Sequence, residues 1–215
     1  MSGLIEHLLM FSKGVFTGFI YNFAAITAAL FVTDFIIKQG LFSGIIAAIG
    51  LIMTHIFWAI ISAYALSFAF LNLDENIHVY TFIGSLILFY FAFHIYLKKN
   101  KPKRLAILAR KEKSEKIYLE ATLFGLASPE KVVGYAALFS VVNIPTASPL
   151  VVEKIPLVLG VGIGSFVWWA IYIFCLNKKA SAISPKTALV LQKVSAYSMA
   201  LLGIAGLISS LVEWR

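Results

Sequence analysis

Gly125-Leu-Ala-Ser-Pro-Glu-Lys-Val-Val-Gly-Tyr-Ala-Ala-Leu-Phe139 is apolar at both ends and polar in its middle. It reads as a membrane-spanning helix interrupted by Ser128 and Pro129, with Glu130 and Lys131 following at once. Proline lacks the N–H that the preceding turn needs. Lipid cannot satisfy the backbone groups that such a break frees. A charge at this depth costs about 2.5–3.5 kcal/mol on insertion scales and normally faces an internal cavity or a partner. The stretch predicts a broken spanning helix built around a polar site.

The rest of the chain supports a membrane setting. It has 215 residues, 60% of them hydrophobic, 13% charged, with a mean hydropathy of +0.90. A soluble domain carries about 25% charged residues. Several uncharged runs reach the roughly 20 residues that span a bilayer. No polar stretch is long enough to fold alone in water. These features predict one integrated membrane domain. The N-terminus lacks the basic start and cleavage site of a signal peptide, so the first spanning helix is expected to act as the insertion signal. The single cysteine, Cys175, rules out an intrachain disulfide and a multi-cysteine metal site. Its neighbours, Ile173-Phe174 and Leu176, suggest a buried, inert thiol.

The uncharged runs predict six helices, over residues 14–33, 41–70, 79–97, 118–142, 151–176 and 188–212. Residues 106–110 are a possible helical extension inside the loop after the third. That loop, 98–116, holds nine of the 18 basic residues: Lys98, Lys99, Lys101, Lys103, Arg104, Arg110, Lys111, Lys113 and Lys116. The loops on its side add Lys38, Lys178, Lys179 and Lys186, whereas the opposite loops carry Asp74, Glu75, Glu153 and Lys154. This asymmetry places loop 98–116 in the cytoplasm and both termini outside, in a multi-pass protein of the cell membrane (the inner membrane if the cell is bacterial). The basic cluster is a topogenic signal compatible with lipid headgroups. Nucleic-acid binding is not expected.

The chain also resembles itself. Gly18 and the run Ala28-Ala-Leu-Phe31 match Gly125 and Ala136-Ala-Leu-Phe139 at offsets of 107 and 108, and Phe57-Trp-Ala-Ile60 matches Trp168-Trp-Ala-Ile171 at 111. This predicts two three-helix halves, 1–97 and 117–215. An odd number of helices per half requires the halves to be inverted in the membrane. Inverted repeats with broken helices near the midplane are a recurring plan of secondary transporters.

Several motifs, taken together in order, resemble the LysE/RhtB family of amino-acid exporters. They are Gly40-Leu-Phe-Ser-Gly44, the third helix from Thr81 to His94, Phe124-Gly-Leu-Ala-Ser-Pro-Glu-Lys131, and Leu157-Val-Leu-Gly-Val-Gly162. The last helix, around 194–207, is similar as well. The resemblance implies export of an amino acid. Two departures fall at the site. The family's first helix commonly carries a Pro-Gly-Pro-type break, whereas Phe19-Ile-Tyr-Asn-Phe-Ala-Ala25 has neither proline nor glycine. The family's Asn-Pro-Lys segment here reads Ser128-Pro129-Glu130-Lys131. The expectation is a continuous first helix facing a broken fourth one.

An exporter of zwitterions must hold a carboxylate and an ammonium. Amides after Pro129 can receive a carboxylate at a helix N-terminus. Glu130 can attract an ammonium or carry a coupling proton, and Lys131 can pair with it or with the substrate. Tyr21, Asn22, Ser128, Pro129, Glu130 and Lys131 are the expected substrate-binding residues. Asn22 could equally make an interhelical hydrogen bond. His55 joins Glu130 as a proton-coupling candidate, because imidazole titrates near neutral pH. Thr54, Trp58 and Trp169 are expected along the pathway, with packing the competing role for the tryptophans. His94 reads as interfacial.

No H-E-x-x-H, P-loop lysine motif or cysteine pair is present, so no enzyme activity, cofactor or bound metal is expected. The expected function is proton-coupled export of amino acids or similar small zwitterions by alternating access. The expected partners are that substrate and the lipid bilayer, and a homo-oligomer is open to it. Two other readings stand beside it. Metal-ion export would require several ligands to converge. A transport-dead scaffold would suit an unbroken first helix.

Overall fold

A long apolar run in lipid can pair its own amides only by coiling into a helix. The computed structural model describes residues 2–71, 77–97, 113–128, 130–142, 151–178 and 185–213, and the elements among them are all helices. The elements are α1 (Ser2–Ala24), α2 (Ile26–Gln39), α3 (Leu41–Leu71), α4 (Ile77–Leu97), α5 (Ser114–Leu126), α6 (Glu130–Val141), α7 (Val151–Lys178) and α8 (Pro185–Glu213). The segments Gly3–Ala24, Leu41–Ser67 and Lys154–Leu176 are long and apolar enough to cross a membrane. Thr81–His94, Lys131–Val141 and Ala196–Val212 are shorter apolar helices.

The distribution of side chains is that of a protein dissolved in lipid. Leu8, Phe42, Phe93, Phe166 and Leu201 lie on the outside. Buried positions hold Thr17, Thr33, Thr54, Ser62, Ser67 and Ser85. Each of these hydroxyls bonds a carbonyl of its own helix, three or four residues back. A hydroxyl satisfied in this way needs no water.

Close packing is set by glycines. A Cβ at Gly14 would run into the Leu157 carbonyl of α7, and one at Gly18 into the Val161 carbonyl. Reciprocally, a Cβ at Gly160 or Gly164 would strike the carbonyls of Phe11 and Val15 on α1. Small residues at four-residue spacing let backbones touch, and helix association in lipid depends on such contact. The α3–α5 pair repeats the arrangement. Gly50 packs on Ala121 and Tyr118, and Gly125 packs on Thr54. Gly203 and Gly206 of α8 accept Phe89 and Ser85 of α4. Between α2 and α3, Gly40 has φ +96 and makes the turn alone, a conformation open to few other residues.

Four expectations are corrected here. The first helix is broken, between α1 and α2, at Ala25. Lys154 is not in a loop: it lies in α7, buried, donating to Ala63 O at 3.3 Å and to Ser67 Oγ, with its ammonium 5.1 Å from the Tyr64 ring centre. Cys175 is exposed on α7 rather than buried. Helix α5 starts at Ser114, so the loop predicted to reach 116 ends sooner; there Lys116 pairs with Glu120 at 3.6 Å. Residues 98–112, with the suggested extension at 106–110, lie outside the described residues.

Gly164→Leu is expected to separate α1 from α7 and to cost about 3 kcal/mol, the upper range for overpacking. Gly3→Leu should be neutral, since a Cβ there meets nothing within 4 Å. Thermal unfolding of the detergent-solubilised variants checks this. Equal midpoints for the two would remove the glycine contacts from the account.

Candidate functional site

The first break is made without proline or glycine. Ala25 has φ −82 and ψ 60, which turns the chain out of the helix. Its N–H bonds the Asn22 carbonyl at 3.0 Å instead of the Tyr21 carbonyl, and helical pairing resumes with Ala29 N–H to Ala25 O at 3.1 Å. Upstream, Gly18 is clamped on α7. Asn22, fully buried, donates through Nδ2 to Gly18 O and to Ser165 Oγ, both at 2.8 Å. The end of α1 is therefore held by α7, and α2 starts afresh with first-turn amides that have no helical acceptor.

The second break follows from composition. Pro129 has no N–H to offer the Gly125 carbonyl four residues earlier. Two side chains supply the missing donors. Trp58 Nε1 of α3 reaches Gly125 O at 3.0 Å, and Lys131 Nζ reaches it at 3.2 Å. Lys131 N–H bonds Ser128 O at 3.1 Å as α6 begins. Ser62 Oγ also approaches the Val132 carbonyl at 2.9 Å, tying the new helix to α3.

Both breaks border one cavity of about 830 Å³. Its polar side carries Tyr21, Ser128 and Lys131, and Ala25, Ala28 and Gly134 complete that part of the wall. The opposite wall is α4, through Ile83, Leu86, Ile87, Tyr90 and Phe91, ending at His94. Lys131 is only 7% exposed. The N-termini of α2 and α6 both adjoin the cavity, and helix N-termini carry partial positive charge.

A second layer lies behind Tyr21. Its ring stacks on Tyr135 with centroids 4.3 Å apart and planes 12° off parallel. Gly134 permits this, because a Cβ there would press on the Tyr21 ring at 2.7 Å. The Tyr135 hydroxyl pairs with His55 Nδ1 at 2.9 Å, and Ser165 lies beside the same hydroxyl. His55 and Tyr135 are fully buried. Among the described residues, His55 Nε2 and Asn22 Oδ1 have no hydrogen-bond partner. Such orphans cost roughly 1–3 kcal/mol each.

Of the residues expected at the site, Tyr21, Ser128 and Lys131 come together on the cavity wall. Asn22 and His55 lie behind it in the buried polar layer. Thr54 packs against Gly125 and bonds Leu51 O at 2.7 Å. Trp58 caps the break, and Trp169 is buried in the apolar cluster with Phe35 and Ile173. Pro129 and the Glu130 side chain lie outside the described residues. Sequence reasoning missed Tyr135, whose only signal was a phenol next to a glycine in an apolar run. It also missed the α4 wall, where His94 joins the cavity and stacks on Tyr90.

Since Cys175 is the only cysteine, a Cys175→Ser background makes the cavity testable. Ser128→Cys should react with a small water-soluble thiol reagent in membranes, while Ala48→Cys, in the core at 3% exposure, should stay protected. Protection of both would mean that water does not reach the break.

Comparison with known proteins adds the family. The LysE type translocator model matches residues 19–210, nearly the whole chain. Searches of curated proteins and of solved structures gave no match. A chain whose described elements are all helices, which exposes apolar side chains and has a family match of this extent, belongs to the LysE type translocator family of membrane exporters of amino acids and related compounds.

Proposed function

We propose that the protein is a secondary exporter of amino acids or related small zwitterions, driven by a proton gradient and working by alternating access. One observation carries this: two broken helices, each starting again at the same cavity, with Lys131 between wall and break. A substrate carboxylate fits against Lys131 and the amides of α6. Glu130, next in sequence, is assigned the ammonium or the coupling proton. His55 is the second proton-coupling group. It communicates with the cavity through Tyr135 and the stacked Tyr21 ring.

The plan we infer is two inverted halves, 1–97 and a second beginning with α5 at Ser114, joined by a cytoplasmic basic loop, with both termini outside. Packing supports it. Exchanging the halves turns the α1–α7 pair into α5–α3, and both pairs are glycine contacts. Gly18 and Gly125, matched in the repeat, both have carbonyls that accept side-chain donors. Thr54 and Ser165 differ by the same 111 residues as Phe57 and Trp168, and each contacts its partner helix at the break. In this orientation His94 marks the cytoplasmic mouth of the cavity. Lys154 bridges α7 to Ala63 and Ser67 of α3 on the outer side.

The other readings fare less well. The scaffold reading drew on an unbroken first helix, and that helix is broken. For metal-ion cargo, no three His, Cys, Asp or Glu side chains group together among the described residues.

Proteoliposomes loaded with labelled amino acids should release them when a proton gradient is imposed. No gradient-dependent flux across a broad panel would sink the proposal. Glu130→Gln and His55→Gln should each abolish the response to the gradient, and His55→Gln should spare substrate counterflow. Unchanged coupling in either variant would remove that residue from the proton path.

A further inference from the structure

Four helices meet at one chain of hydrogen bonds behind the cavity. Asn22 of α1 donates through Nδ2 to Ser165 Oγ of α7 at 2.8 Å. Ser165 adjoins the Tyr135 hydroxyl of α6, and that hydroxyl pairs with Nδ1 of His55 on α3 at 2.9 Å. An amide nitrogen only donates, a hydroxyl donates one proton, and a neutral imidazole has one donor and one acceptor nitrogen. The Asn22 amide therefore gives the chain a direction. Ser165 Oγ accepts from it and has its own proton to place, and Tyr135 Oη is the acceptor beside it. Tyr135 then donates to His55 Nδ1. That nitrogen is the bare one, and the imidazole proton sits on Nε2.

The reverse order strands one group more. With the proton on Nδ1, Tyr135 Oη would accept from His55. Its own proton would then be left over, or would go to Ser165 and leave the serine proton over. Nε2 lacks a partner among the described residues in either order. Asn22, His55, Tyr135 and Ser165 are all buried, and a further buried donor without an acceptor is costly.

Resting on the exporter reading for the role of His55, we infer that Asn22, Ser165 and Tyr135 are positioning residues: they fix His55 as the Nε2–H tautomer and make Nδ1 the atom that receives the coupling proton. Tyr21 of α1 and Tyr135 and Lys131 of α6 face that imidazole. A proton bound at Nδ1 turns Tyr135 Oη from donor to acceptor, and its O–H has to find another direction. The change passes through Ser165 to Asn22, whose carbonyl takes the Ala25 N–H at the first break.

Nitrogen-15 NMR of the histidine-labelled full chain in lipid nanodiscs at neutral pH reads the tautomer. The chain has four histidines, and replacing His7, His78 and His94 by glutamine leaves the His55 signals alone. They should show one species, with Nε2 protonated and Nδ1 bare. Ser165→Ala should lose that single species and give two tautomers, and Ser165→Thr, which keeps the hydroxyl, should restore it. Tyr135→Phe should also give two. An Nδ1–H or doubly protonated imidazole before any change to the chain would overturn the inference, and so would a single Nε2–H tautomer persisting in Ser165→Ala and Tyr135→Phe. The expected spectra together with unchanged gradient coupling in His55→Gln would uphold the ordering of the chain and remove His55 from the proton path.

Discussion

A proline inside a membrane helix leaves one carbonyl without a donor, and lipid offers none. Here that carbonyl is Gly125 O, and the structure around it is the answer. Trp58 reaches it from α3 and Lys131 returns to it from the first turn of α6. For Trp58 to arrive, α3 must lie close, which the Gly50 and Gly125 contacts permit. For Lys131 to arrive, its ammonium must be buried at the break, which is also where the cavity begins. One unsatisfied backbone group thus fixes the position of two helices and puts a cation at the site.

The first break solves the same problem by other means. Its residues are alanines, with no intrinsic reason to leave the helix. What bends the chain is tertiary structure. Gly14 and Gly18 lock α1 on α7, and Asn22 bonds Ser165 across the interface. Helix α2 turns onto α3 through Gly40, while Thr33 and Ala29 still bond Tyr172 of α7. The two docking directions do not lie on one straight helix, and Ala25 takes up the difference.

This contrast explains what the sequence could reveal. Uncharged runs located α3, α4, α7 and α8, because about 20 residues without charge have few alternatives in a protein this apolar, whereas the run 14–33 fell across α1 and α2. Pro129 announced its break through a missing donor. Ala25 announced nothing, since its conformation is imposed from outside. Lys154 was read as a loop residue because charge usually marks an interface. Its burial depends on Ser67 and Tyr64, which lie nearly ninety residues away. The α4 wall was silent as well. A helix that is apolar all round has no periodicity to show which face meets a cavity. Tyr21, Ser128 and Lys131 were legible as polar interruptions, whereas Tyr135 needed the fold to bring it against His55.

The central claim is that two helix breaks share one substrate site. An experimental structure with an exported amino acid bound tests it most directly. The account predicts the carboxylate within hydrogen-bonding distance of Lys131 Nζ, beside Ser128, with α1 and α2 separated at Ala25. A continuous helix through Ala25, or the amino acid bound away from Lys131, would contradict it.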